Sequence, residues 1–139
     1  MNEFIINEIA KELNVNVRQV ETVLKLLEEV PSVKDIVIMI QKEVADRFVA
    51  KPNTKDYNAL RVLIQYFTNA EKLFDVSPSA FIPAPKVSSS VIHLSYKDKG
   101  SLSGDDLTFF LKFNRNIFKQ RRKTLVNNIC ASFNISKED

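Results

Sequence analysis

Between Leu107 and Lys137 the chain carries seven bases and no acid. Lys112, Arg115, Lys119, Arg122 and Lys123 recur at helical spacings with Arg121 beside them, so a continuous helix would gather their charges along one side. Such a stripe can neutralise phosphates: each cation meeting a nucleic-acid backbone releases a condensed counterion, and arginine adds a forked donor pair. The competing reading is a solvated charged face, the ordinary fate of a charge run. The complete lack of acids over the stretch favours backbone contact. A second group is Phe81, Pro83, Pro85 and Lys86, where prolines fix φ and forbid helix. Taken alone, Phe81 in this loop packs beneath its own segment. His93 is the chain's one histidine, and a single imidazole in an apolar run makes neither a metal site nor a proton relay.

The rest of the composition narrows the class. A length of 139 residues with 45% hydrophobic and 27% charged side chains fits one globular domain. The net charge of +3 conceals an asymmetry, since residues 1–30 hold six acids against three bases. No apolar run approaches the ~18–20 residues that span a bilayer, and the start, MNEFIINEIAKE, is too acidic for a signal peptide. No membrane partner is expected. One cysteine, Cys130, cannot form an internal disulfide, which points to a reducing, cytoplasmic setting.

The elements that must position these groups follow from periodicity. Ile6, Ile9, Ala10 and Leu13, then Val20, Val23, Leu24 and Leu27, give two short helices broken at Asn14-Val15-Asn16, with Asn16 and Gln19 as a capping box. Glu21, Glu28 and Glu29 on the second helix argue against a DNA-reading helix-turn-helix and for an ordinary hairpin. DIVIMI (Asp35–Ile40) reads as a strand buried on both faces. Lys42–Ala50 is helical, KPNTKD a loop, and Tyr57–Phe67 a helix with Leu60, Leu63, Ile64 and Phe67 on one side. Glu71–Val76 is a short strand, Ser90–Tyr96 another, and KDKGSLSGDD the linker to a basic helix over about Asp106–Asn127. Phe110, Phe113 and Ile117 give that helix a packing side.

In order and spacing, QKEVADR (41–47), KDYNALRVLIQYF (55–67), SAFIPAPKVSSSVI (79–92) and FKQRRKTL (118–125) carry a family signature. From about residue 25 to 139 the chain resembles the later half of KsgA-type ribosomal RNA adenine dimethyltransferases. The resemblance implies a class I methyltransferase half-sheet whose last strand inserts antiparallel beside DIVIMI. It also implies that Phe81, flanked by Pro83, Pro85 and Lys86, lies against an adenine held out of the RNA stack. An aromatic face can return about 1–3 kcal/mol of lost stacking. Lys112, Arg115, Lys119, Arg121, Arg122 and Lys123 would meet small-subunit ribosomal RNA.

The resemblance also marks what this sequence does not contain. The family binds S-adenosylmethionine through a glycine-rich turn and meets the adenine amine with an Asn-Leu/Ile-Pro-Tyr segment. Nothing before Lys25 is similar to either, and neither of the chain's two glycines precedes residue 100. No catalytic residue and no bound cofactor are therefore expected in this chain. Residues 1–29, ending VLKLLEE, resemble the N-terminal helical hairpin of the Tex family of transcription accessory proteins, which implies a chimera joined within Lys25–Val30.

These readings combine into an α/β remnant with about three mixed strands, strand 90–96 central, helices flanking them and a basic helical tail. Its parts are a helical hairpin (1–30), the second half of a Rossmann-like domain (31–98) and a basic helical region (99–139). The edge of DIVIMI invites a homodimer or an element swap unless the hairpin covers the exposed face beside it. Three functions are consistent with this: a catalytically incomplete RNA-binding remnant, a recombined chain with no selected activity, or a methyltransferase half needing a complementing chain.

Overall fold

The computed structural model describes residues 11, 18–19, 22–23, 25–26, 30, 32–97 and 102–138. The expected N-terminal hairpin and part of the 97–106 linker lie mostly outside these residues. Residues 18, 19, 22, 23, 25 and 26 have helical backbone.

Three strands form the sheet: β1 (Asp35–Gln41), β2 (Thr68–Val76) and β3 (Ser89–Tyr96), in the order β1-β3-β2. The last strand is central, as expected, and both of its ladders are antiparallel. Asp35↔Ser95 and Gln41↔Ser89 bound one register; Thr68↔Tyr96 and Val76↔Ser89 bound the other. A bulge between Lys72 and Phe74 leaves Leu73 unpaired.

DIVIMI is not buried on both faces. Ile36 and Ile40 face the core, whereas Val37 is 62% and Met39 49% exposed. The physical cause is the period of two: α1 (Lys42–Phe48) and α2 (Ala59–Phe67) contribute Val44, Ala45, Phe48, Leu60, Leu63 and Ile64 to one face. Cross-strand neighbours of Met39 continue the open face as Val91 and Phe74, the latter 56% exposed. Val23, only 1% exposed, joins the core cluster from the N-terminal helical residues.

Local chemistry sets the helix bounds. Asn58 accepts from the N–H groups of Leu60 and Arg61, so α2 begins at Ala59 rather than Tyr57. The first helix stops at Phe48, short of Ala50, because the Arg61 guanidinium takes up the carbonyls of Phe48 and Ala50 at 2.8 and 3.0 Å. Burial there lowers the Arg61 pKa from its usual value. Asn53, in the left-handed region at φ 64, turns the connection.

The expected basic helix is broken in two. One helix, α3 (Gly104–Ile117), puts Leu111 into the core and donates from Asn114 to the Ala59 carbonyl at 2.8 Å. The chain then turns over residues 118–124 before α4 (Leu125–Phe133). The break is built by capping: Thr124 accepts from the Asn127 N–H, and the Lys119 N–H bonds the Asn116 carbonyl. Phe118 tilts against Tyr57, with centroids 6.0 Å apart.

Candidate nucleic-acid interface

The proline-rich loop leaves β2 through a short 3-10 turn, Pro78–Ala80. Ser77 initiates it, its hydroxyl accepting from the Ser79 N–H, and the Phe81 N–H closes it on the Pro78 carbonyl at 3.2 Å. Phe81 is half-buried, while Pro83, Pro85 and Lys86 are exposed and Ile82 is fully exposed. Past the loop, the Ser88 carbonyl accepts from the Lys42 N–H, at the start of α1.

A charged network ties the base of this loop together. One oxygen of Asp75 accepts from the Lys42 ammonium at 2.5 Å, and the other from the Ser90 hydroxyl at 2.7 Å. Lys72 lies 3.5 Å from Asp75 and donates to Asp46 at 2.9 Å. The Lys42 bond first, then that of Ser90, hold the Asp75 carboxyl at about 2, well below its ordinary 3.8. The hydrogen bond to Asp46 raises the Lys72 pKa.

The cations expected on one helical side are divided by the break between α3 and α4. Lys112 is exposed on α3 and Arg115 half-buried in its last turn, whereas Lys119, Arg121, Arg122 and Lys123 stand exposed in the 118–124 turn. Their single-face arrangement is thus corrected, since the helix ends at Ile117 and residues 119–123 follow in a non-helical turn. Asn128, 3% exposed, supports the turn from below by donating to the carbonyls of Gln120 and Lys123. Arg121 donates to the Lys55 carbonyl.

That last bond links the two groups. A cleft of about 480 Å³ lies between Lys42, Asp46, Lys55 and Asp56 on one side and Val87 and Ser88 on the other. A second, of about 310 Å³, is lined by Asn53, Thr54 and Tyr57 together with Phe118, Arg121 and Lys123. The connection between α1 and α2 therefore forms a wall of both, one facing the root of the proline-rich loop and the other the basic turn. Neither Lys112 nor Arg115 lines either cleft. His93 lies on the open face of the sheet, 2.8 Å from an Asp35 carboxylate oxygen. Among the described residues no group of three or more His, Cys, Asp or Glu could hold a metal, and no helix is long and apolar enough to cross a membrane.

The family model for ribosomal RNA adenine dimethylase matches residues 19–138. The chain belongs to that family. Among dimethylase relatives, the ribosomal RNA small subunit methyltransferase A of Bacillus licheniformis is 41% identical over 117 residues, covering 84% of this chain and 40% of that protein. Its Bacillus cytotoxicus counterpart is 46% identical over 115 residues, covering 83% and 39%. The crystal structure of a dimethyladenosine transferase from Plasmodium falciparum superposes with a TM-score of 0.73 at 30% identity, over 82% of this chain and 42% of that one. The 23S rRNA methyltransferase ErmE shares the fold, with a TM-score of 0.59 at 21% identity over 84% and 46%. This chain thus spans about 40% of the length of the curated dimethylase relatives it matches.

The sequence named the loop and the basic residues as candidates; it did not single out Lys42, Asp75, Ser90 and Asn128, which the structure joins to them. Lys42 and Asp75 are 33 positions apart, and no periodicity couples them. Asn128 had one available signal: a polar residue on the apolar side of a helix, three residues after Leu125.

Proposed function

We propose that this chain is an RNA-binding portion of a ribosomal RNA adenine dimethylase. In this reading the 118–124 turn holds the phosphate backbone of small-subunit ribosomal RNA and Phe81 meets an unstacked adenine. The observation that carries it is the turn itself. Lys119, Arg121, Arg122 and Lys123 project from a segment whose carbonyls are held by a buried amide, and no carboxylate pairs with them among the described residues. Fixed cations lose less conformational entropy on meeting phosphates than mobile ones do.

The test is binding to a small-subunit ribosomal RNA hairpin over a salt series. Affinity should fall steeply with salt, and Arg121→Ala with Arg122→Ala should lower the log–log slope by about two units. A slope unchanged by the pair would overturn the assignment.

Methyl transfer is assigned elsewhere than to these residues. S-adenosylmethionine does not fit the described part of the chain. None of the described residues before 102 is a glycine, and a backbone cradle for the donor needs glycines. Two further readings remain. Transfer from labelled donor only after adding the rest of a dimethylase would favour a complementing half, which the 40% coverage of relatives supports. The family match begins at residue 19 and so overlaps the Tex-like segment of residues 1–29; the chimera reading rests on the resemblance of that segment alone. Exposed Val37 and Met39 support self-association through the β1 side of the sheet, and the lone half-buried Cys130 supports a cytoplasmic setting.

A further inference from the structure

The proline-rich loop has to present Phe81 in one orientation, yet the residues around the ring's neighbours are nearly all exposed. What fixes the loop lies at its root. Asp75 is the penultimate residue of β2, and Ser90 is fully buried near the start of β3. The two face each other in the ladder. Both oxygens of the Asp75 carboxylate are engaged, one by Ser90 at 2.7 Å and the other by Lys42 at 2.5 Å. The backbone N–H of Lys42 simultaneously holds the Ser88 carbonyl. One carboxylate thereby joins the strand entering the loop, the strand leaving it and the first residue of α1.

We propose that Asp75 is a positioning residue for Phe81, a clamp that sets the direction in which the loop offers its aromatic ring to a base. The inference rests on the reading of Phe81 as base-facing. Transmission is short: Val76 and Ser77 lead straight into the turn at Pro78–Ala80, where the Phe81 N–H is itself bonded to Pro78. A carboxylate serves this best. Asparagine keeps one acceptor oxygen for the Lys42 ammonium but loses the charge that strengthens that bond, and its amide reaches Ser90 only if the hydroxyl turns to accept.

Charge alone predicts the opposite of positioning. Removing a negative group near a polyanion site should tighten RNA binding, whereas loss of the clamp should weaken it. The experiment is a double-mutant cycle in the full chain, with Asp75→Asn, Phe81→Ala and the double variant. Affinity for a small-subunit ribosomal RNA hairpin is measured at fixed salt, alongside thermal unfolding of each variant. Asp75→Asn should weaken binding about fivefold when Phe81 is present and less than about twofold when it is absent.

Equal losses in both backgrounds would mean a general structural role and overturn the clamp. Unchanged or tighter binding by Asp75→Asn would do the same. If Phe81→Ala itself binds like the wild type, the base-facing reading falls and the clamp with it, which separates the two failures. Ser90→Ala removes one donor without altering charge, and it carries the same cycle should Asp75→Asn not fold.

Discussion

Replacing Asn128 by alanine is the sharpest available test of the basic turn, because it removes no charge and none of the side chains proposed to meet RNA. Asn128 is 3% exposed, and its amide donates to the Gln120 carbonyl at 3.1 Å and more weakly to the Lys123 carbonyl at 3.4 Å. The first bond counts nearly in full and the second in part. With the carbonyls left short of a partner, the loss is about 1–2 kcal/mol. For a chain of this size that lowers Tm by about 3–7 °C. If RNA must then re-order the turn, about 1 kcal/mol of that cost reappears as roughly fivefold weaker affinity. The salt slope should move by less than about one unit, since every cation is still present. Thermal unfolding and a salt series on one hairpin measure all three. A variant with lowered Tm and wild-type affinity would refute the reasoning, because it would separate the order of the turn from RNA contact.

Other expectations follow from the core and the loop root. Val23→Ala should cost about 2 kcal/mol in urea unfolding, for two methyl groups and the cavity left by them; a neutral result would mean that the N-terminal helix is not part of the cooperative unit. Asp75 has a folded-state pKa of about 2 against 3.8, so its stabilising contribution is complete above about pH 4 and is lost as pH falls toward 2. The gap in urea midpoint between wild type and Asp75→Asn should accordingly close over that window, and a gap constant down to pH 2 would contradict the ion-pair assignment. Light scattering after size exclusion should show mass rising with concentration, and a clean monomer at high concentration would count against pairing through the β1 side.

What was legible in the sequence was what period and propensity encode. β1 and β3 stood out as β-branched runs, and α2 as an apolar stripe from Leu60 to Phe67. Three errors have tertiary causes. Asn69 and Ala70 are poor strand formers, yet β2 begins at Thr68 because Tyr96, Ser95 and Leu94 offer partners. DIVIMI looked doubly buried because exposed Val37 and Met39 are as apolar as buried Ile36 and Ile40; only the layer arrangement distinguishes them. The single basic helix was wrong because Thr124 can cap as well as continue a helix, and the buried Asn128 amide decides between the two. At the loop, the prolines marked a non-helical segment, but Phe81 became a candidate only through the family resemblance. The Lys42–Asp75–Ser90 network was not, since each of these residues reads locally as an ordinary surface position.

The central place of β3 has a consequence for how the sheet comes into being. In the sheet β1 and β2 bond to β3 and not to each other, so among the described strands neither has its partner while the intervening chain is made. Only when residues 89–96 have left the ribosome does either ladder have a template, and both can then close around the same strand. Sheet formation is thus an event concentrated late in synthesis, with long loops to close. Until then, among the described residues, the helices between the strands have one another, β1 and the earlier Val23 to cover their apolar sides.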